Sequence, residues 1–420
     1  MVKRTPFYDQ VRERMIRYAK VDTQSDANGR ETPTTKKQFD LARMLRDELL
    51  RIGASDVWLD ETACVVYGKI PSAMPNGGGR PFGLVTHMDT APDAPGANVR
   101  PWVLEEYDGG DIVLNAEKNI VLSPEDFPNL LNYVGQDLIL TDGTTLLGGD
   151  DKAAIAAVMT FAEHVLSHPE IPHGPISLAF TPDEEVGGLA KDLDFERFGA
   201  KVAYTLDGDH LGCYMDETFN ASLAKLTVKG RSVHPATAKG VMINAADAAG
   251  EFLSMLPRFE KPQYTEGREG FFHVISVHAD CEHAEVTLIV RDHYRTQFEQ
   301  REAYLEKCAD ALKAAYGAER VALSITLQYR NMKDVLQNYP FLIGSLVEAI
   351  RASGAEPKTE PFRGGTDGSA LSWRGLPSPN LSAGYENAHG RFEYVPIPSM
   401  EKNVEILLHL SALFGNMKDE

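Results

Sequence analysis

The first half of the chain alternates two hydrophobic spacings. Segment 35–53, "TKKQFDLARMLRDELLRIG", repeats apolar residues every three or four positions, which predicts a helix stopped by Gly53 as its C-terminal cap. Segment 80–89, "RPFGLVTHMD", is a short apolar run behind the turn-rich "PNGGG" and predicts a strand. "KAAIAAVMTFAEHVLSH" (152–168) predicts a strong helix, whereas "GPISLAFTPDEE" and "AKVAYTLDGD" predict strands that run into acidic loops. Strands alternating with helices indicate an α/β domain built on a mainly parallel sheet.

The order changes after about residue 218. Segments 223–230, 271–280, 284–293 and 320–330 read as strands, with helices over 244–257 and 296–317. In 320–330 the larger apolar residues Val321, Leu323, Ile325 and Leu327 alternate with Ala322, Ser324, Thr326 and Gln328. Strand–helix–strand–strand–helix–strand is the ferredoxin-like α+β order. The expected organisation is thus 1–217, an inserted domain at 218–331, and 332–420 completing the first domain, with helices near "FLIGSLVEAIRASG" and "EKNVEILLHLSALFG". A chain of 420 residues exceeds one ordinary core, in keeping with two domains.

Composition narrows the function classes. Hydrophobic residues are 43% and charged residues 25%, ordinary for a globular protein, while the net charge of −19 argues against nucleic-acid or anionic-membrane binding. The four cysteines form no CxxC pair, which fits reduced thiols in the cytoplasm. Segment 1–20 carries basic residues without an apolar core and reads as an amphipathic first helix rather than a signal peptide. No apolar stretch approaches a membrane span.

The candidate chemistry lies where predicted strands end. In "GLVTHMDTAP" (83–92), His87 and Asp89 are two residues apart and would share a face at the strand's exit, with Met88 turned inward. An aspartate there can accept a hydrogen bond from one imidazole nitrogen while the other nitrogen binds a ligand. Asp150 and Asp151 in "LLGGDDKAA" open a helix, which helix capping alone would explain. Asp183, Glu184 and Glu185 follow a strand, and a solvated loop alone would explain them. Asp207 in "YTLDGD" and His389 in "GYENAHGRFEYV" complete the set. Taken together they gather at the carboxyl ends of strands, where open α/β sheets bind ligands. Carboxylates and imidazoles are the usual donors for zinc, cobalt or manganese, and two such ions sharing a carboxylate would account for this charge.

Long segments of the chain support a more specific reading. "THMDTAPD", "NIVLSPEDFPNLL", "TDGTTLLGGDDKA", "PHGPISLAFTPDEEVG", "YTLDGD", "VHPATAKGVMINA", "TEGREGFFH", "RDHYRTQFE" and "FRGGTDGSALSWRGLPSPNL" together resemble the M20 family of co-catalytic zinc peptidases over nearly the whole length. Segment 95–145 resembles its tripeptide aminopeptidase branch, peptidase T, more than its other branches. The resemblance implies a mixed-sheet zinc-peptidase domain with an inserted lid and dimerisation domain. It implies two divalent ions, zinc foremost with cobalt or manganese as alternatives. One would be bound by His87, Asp150 and Asp207, the other by Asp150, Glu185 and His389. Asp89 would orient His87, Asp151 would remain a helix-start residue, and Glu184 would be the general base.

The same resemblance makes His234 of the inserted domain a residue that reaches a partner subunit's active site. It makes Asn244, Arg291, Arg363 and Gly364 candidate substrate contacts, with Arg363 gripping a peptide carboxylate. The implied partners are short peptides and a second copy of the chain, with no nucleic acid and no membrane. The sequence departs from the family at "GGDDKAA", at "LDGD" and around His389, without losing a ligand. Another M20 activity (dipeptidase, carboxypeptidase or N-acyl-amino-acid amidohydrolase) is the nearest alternative, and a non-catalytic peptide-binding protein a remote one. A nucleotide or phosphate binder would need a glycine signature that the chain lacks.

Overall fold

Burial follows the helical spacing read from the sequence. In the helix Tyr8–Ala19, Val11, Met15 and Tyr18 are buried, and in Gln38–Ile52, Leu41, Leu45 and Leu49. The latter helix ends where Gly53 takes a left-handed conformation at φ 89°. The helix Gly149–Ser167 is apolar on every side from Ala153 to Ala162 and is buried all round. The structure is a computed structural model that describes residues 4–359 and 361–418. The start of the expected first helix, residues 1–3, lies outside the described residues.

The chain forms two units. One holds residues 4–216, 334–359 and 366–418, and the other residues 217–333 with 361–365. The first is built on an eight-stranded mixed sheet. Its order is Ser55–Asp60, Val65–Ile70, Ile176–Thr181, Phe82–His87, Ala203–Gly208, Asn380–Ser382, Cys213–Met215, Lys358–Thr359. The four strands from Ile176–Thr181 to Asn380–Ser382 are parallel to one another, and antiparallel pairs lie outside them. Phe82–His87 and Ile176–Thr181 are buried at every residue, as expected of strands covered on both faces.

Segment 95–145 contributes short strands that periodicity does not reveal. Trp102–Leu104 pairs with Leu138–Leu140, which pairs in turn with Val395–Pro396, and Ile112–Asn115 forms a hairpin with Ile120–Leu122. Tyr107, Leu122, Leu130, Leu138, Leu140 and Tyr394 make their common core.

The second unit has a four-stranded antiparallel sheet in the order Phe271–Ala279, His283–Asp292, Asn220–Lys229, Val321–Tyr329. Two helices, Ala245–Met255 and Arg295–Tyr316, pack on it through Phe252, Phe298 and Leu305. The chain order and strand order are those of the ferredoxin-like fold. The alternation in Val321–Tyr329 is only partly a burial pattern: Val321 is buried, but Leu327 is 45% exposed, because this strand is at the sheet edge with one neighbour.

Candidate metal centre

Strand order brings the candidate residues together. Phe82–His87 lies between Ile176–Thr181 and Ala203–Gly208, and all three are parallel. His87, the Asp183–Glu185 turn and Asp207 therefore emerge at one end of adjacent strands. Asp150 and Asp151 have non-helical backbone angles, joined by a cis peptide bond, so regular helix begins only at Lys152. His389 sits in a left-handed conformation, φ 63°, on the loop between Asn380–Ser382 and Val395–Pro396.

The two imidazoles divide Asp150 between them. His87 Nε2 lies 3.0 Å from Asp150 Oδ1 and 3.4 Å from Asp207 Oδ1. His389 Nε2 lies 3.2 Å from Asp150 Oδ2 and 2.9 Å from Glu185 Oε2. Donor atoms of His87, Glu184 and Asp207 fall within 4.8 Å of one another, as do those of His87, Asp150 and Glu185, and of Asp150, Asp151 and Asp207. The His87 side chain is 2% exposed and that of His389 47%, so the cluster opens to solvent on the His389 side.

Asp89 holds the neighbouring turn as well as facing His87. Its Oδ1 accepts the Glu184 N–H at 2.9 Å and its Oδ2 the Glu185 N–H at 3.2 Å. His87 Nδ1 is 3.2 Å from the Asp89 carbonyl oxygen and 3.4 Å from its Oδ1. A proton on Nδ1 has an acceptor there, which leaves Nε2 as the nitrogen that can meet a cation placed among the carboxylates. Asp151 stands at the helix start, directly before Lys152, as expected, and makes a further contact that the sequence did not indicate. Its backbone is not helical, and its Oδ2 accepts the His87 N–H at 3.2 Å. Nor is Asp183–Glu185 a solvated loop. Asp183 is buried and accepts hydrogen bonds from Thr34 and Gln38, while the amides of the next two residues rest on Asp89.

The electrostatics are those of crowded, desolvated carboxylates. Burial, with the Asp207 charge beside it, pushes Glu184 well above the usual range. Burial and Asp150 push Glu185 up to about 8, and burial also raises Asp207 and Asp151. Asp150 is the exception: burial opposes its charge, but hydrogen bonds to His389 and His87 hold it below the ordinary range. Burial likewise opposes charge on His87, yet Asp150, Asp207 and Asp89 raise it well above the usual value. Hydrogen bonding to Asp150 and Glu185 raises His389 to about 11.

This donor set fits divalent cations. It offers two imidazole nitrogens and several carboxylates at convergent positions, with Glu185 Oε1 buried and without a partner. Close buried carboxylates that resist ionisation together are stabilised by cations placed among them.

Sequence reasoning missed three buried groups around the cluster. Glu393 accepts three backbone N–H groups of the 147–150 turn. Asp367 accepts from Thr181 Oγ1 at 2.8 Å, and burial pushes it up to about 7. The Tyr385 hydroxyl lies 3.4 Å from Asp207 Oδ1. The only local signal for Glu393 is an acid set between Phe392 and Tyr394.

The remaining candidates belong to the second unit. His234 is exposed and its Nδ1 accepts the Ala236 N–H, and Asn244 caps the helix Ala245–Met255. Arg291 donates to the Arg363 carbonyl, and Gly364 presents its carbonyl to the Phe219 N–H. The Arg363 guanidinium donates to Thr265 Oγ1 and to the carbonyls of Gly267 and Glu269, over the rings of Phe219 and Phe271. These bonds engage both of its terminal nitrogens within its own unit.

Comparison with known proteins finds relatives over nearly the whole chain. Residues 217–320 match the family model of the M20 "Peptidase dimerisation domain". A protein from Geobacillus kaustophilus (strain HTA426) named peptidase T is 48% identical, over 96% of this chain and 97% of that one. The crystal structure of the aminopeptidase PepT from Bacillus cereus has a TM-score of 0.75 at 20% identity, covering 96% of this chain and 98% of that chain. A tripeptidase structure from Staphylococcus aureus also has a TM-score of 0.75, at 22% identity, covering 98% of this chain and 99% of that chain. With near-full-length identity of this order and the fold to match, the chain belongs to the peptidase T family of M20 peptidases.

Proposed function

We propose that this chain is a di-metal aminopeptidase that releases the N-terminal residue of tripeptides. The observation that carries the proposal is the convergence of His87 and His389 on the two oxygens of one buried carboxylate, Asp150, in a chain 48% identical to a peptidase T. His87, Asp150 and Asp207 would hold one ion, and Asp150, Glu185 and His389 the other, with zinc foremost. Bound there, the cations supply Lewis acidity at the scissile carbonyl and lower the pKa of water towards about 7.

The chain's own residues do the rest. Glu184 lies within reach of His87 and Asp207 without being one of the five proposed ligands. Its carboxylate takes a proton from the attacking water and delivers it to the leaving amine nitrogen, after which it is ready for the next cycle. Asp89 keeps the Glu184–Glu185 turn in register with His87 through the two backbone amides it accepts. The reading includes a cytoplasmic homodimer formed through the 217–333 unit, supported by the dimerisation-domain match. No helix among the described residues is long and apolar enough to cross a membrane.

A hydrolysis panel tests the reading. Chelated and zinc- or cobalt-reconstituted protein is given free tripeptides, dipeptides, tetrapeptides and N-acyl amino acids. Metal-dependent release of the N-terminal residue from tripeptides alone is expected. Cleavage of dipeptides or N-acyl amino acids instead would move the chain to another M20 activity, and no cleavage at all would leave a binding protein.

A further inference from the structure

The carboxylate of Glu393 is buried, and its three hydrogen bonds all go to one turn. Oε2 accepts the N–H groups of Leu147 and Gly148, each at 2.8 Å, and Oε1 accepts the N–H of Asp150 at 2.9 Å. That turn delivers Asp150, the residue both imidazoles approach. It lies flush against the segment carrying Glu393: a Cβ at Gly149 would come 2.6 Å from Val395 Cγ2 and 3.0 Å from Glu393 Oε1. The segment is itself anchored on its far side, where Val395 pairs with Ile139 and Tyr394 with Glu386. Glu386 in turn accepts hydrogen bonds from Tyr133 and from Asn129 Nδ2 at 2.8 Å. One short stretch of chain therefore supplies both His389 and the carboxylate that fixes the backbone of Asp150.

We propose that Glu393 is a positioning residue for the metal centre. It holds the 147–150 turn so that the two Asp150 oxygens face His87 and His389 simultaneously. The proposal rests on the reading above in that Asp150 is taken as the shared ligand. Its chemistry requires an acceptor at both ends of the side chain, since one oxygen serves Asp150 and the other serves Leu147 and Gly148. A glutamine keeps the shape but turns an NH2 donor toward one of these N–H groups, leaving a buried donor unpaired.

The test compares wild type, Glu393→Gln, Glu393→Asp and, as a measure of stability loss alone, Glu48→Gln, a buried carboxylate elsewhere in the same unit. Zinc retention is measured by chelator competition, with kcat and KM on a tripeptide and the melting temperature of the metal-free protein. Glu393→Gln is expected to weaken zinc retention about tenfold or more, the usual range for groups that orient metal ligands. It should lower kcat with KM little changed, while its metal-free melting temperature falls no further than that of Glu48→Gln. Glu393→Asp, with two acceptor oxygens, should recover part of the retention. Zinc retention within about twofold of wild type in Glu393→Gln, or an equal loss in Glu48→Gln, overturns the proposal. Should the Gln variant not fold, wild-type retention in Glu393→Asp with a lowered melting temperature overturns it equally. Wild-type zinc retention without peptide hydrolysis would reject the function proposed above and leave Glu393 to be judged on the retention series.

Discussion

Asp150 and Glu184 illustrate how little separates a ligand from a proton carrier at the residue scale. Both are carboxylates in one buried cluster, but hydrogen bonds from two imidazoles hold Asp150 ionised, whereas burial and the Asp207 charge push Glu184 towards its protonated form. Glu184→Gln retains the shape and removes the proton site. Its kcat is expected to fall by about 10²–10⁴ with zinc content unchanged, the loss typical of a positioned acid–base group. Near-normal turnover in that variant would dismiss Glu184 as the base. Arg363 shows the opposite outcome. Its guanidinium bonds to Thr265, Gly267 and Glu269, so the carboxylate grip implied by the family resemblance has to compete with partners already in place. Comparing Arg363→Ala on amidated and free-acid tripeptides decides between them: an equal loss on both assigns the residue to structure.

At the scale of elements, the site depends on strands kept in register and helices kept in place. Gly83 lies in the strand that ends at His87, and a Cβ there would meet the Phe198 ring at 2.1 Å. Gly83→Ala should destabilise by about 1–3 kcal/mol through overpacking, measured by denaturant unfolding. The helices Tyr8–Ala19 and Gln38–Ile52 are linked through Glu48, which accepts from Arg14 Nε at 3.0 Å, from the Tyr18 hydroxyl at 2.7 Å and from Arg17. Burial opposes the Glu48 charge, but these partners outweigh it and hold its pKa below the glutamate range. A depressed carboxylate stabilises the fold above its unfolded-state pKa and loses that contribution as pH falls through the folded value. Glu48→Gln should therefore cost roughly 3 kcal/mol near neutral pH, as for a broken buried ion pair, with the gap to wild type closing in acid. A pH-independent gap would assign the loss to packing.

For the whole molecule, metal and protons compete for the same groups. In the metal-free protein burial opposes charge on His87 but the carboxylates raise it well above its usual value, and they raise His389 to about 11, which favours the protonated imidazoles. Imidazole ligands must be neutral, so metal binding should release protons, and acidification should weaken retention. Calorimetry in buffers of different ionisation enthalpy checks this, and an enthalpy independent of buffer would contradict it. Chelation should also remove the stability that binding confers, about 4 kcal/mol with metal at a thousandfold above Kd, seen as a lower melting temperature. Much of this was legible beforehand. Helical periodicity located Gln38–Ile52 and its Gly53 stop, and apolar runs located the strands that end at His87, Thr181 and Gly208. Short strands such as Leu138–Leu140 were not legible, because three residues carry no usable alternation. By itself the sequence determined where the longer helices and strands lie and which donor residues stand at strand ends, because local spacing and side-chain chemistry are properties of neighbours along the chain. Only the tertiary structure decided that Asp151 serves the His87 amide, that Asp183 is tied to Thr34 and Gln38, and that Glu393 grips the Asp150 turn. Those contacts join residues far apart in sequence, and they arise only when helices, loops and sheets pack against one another.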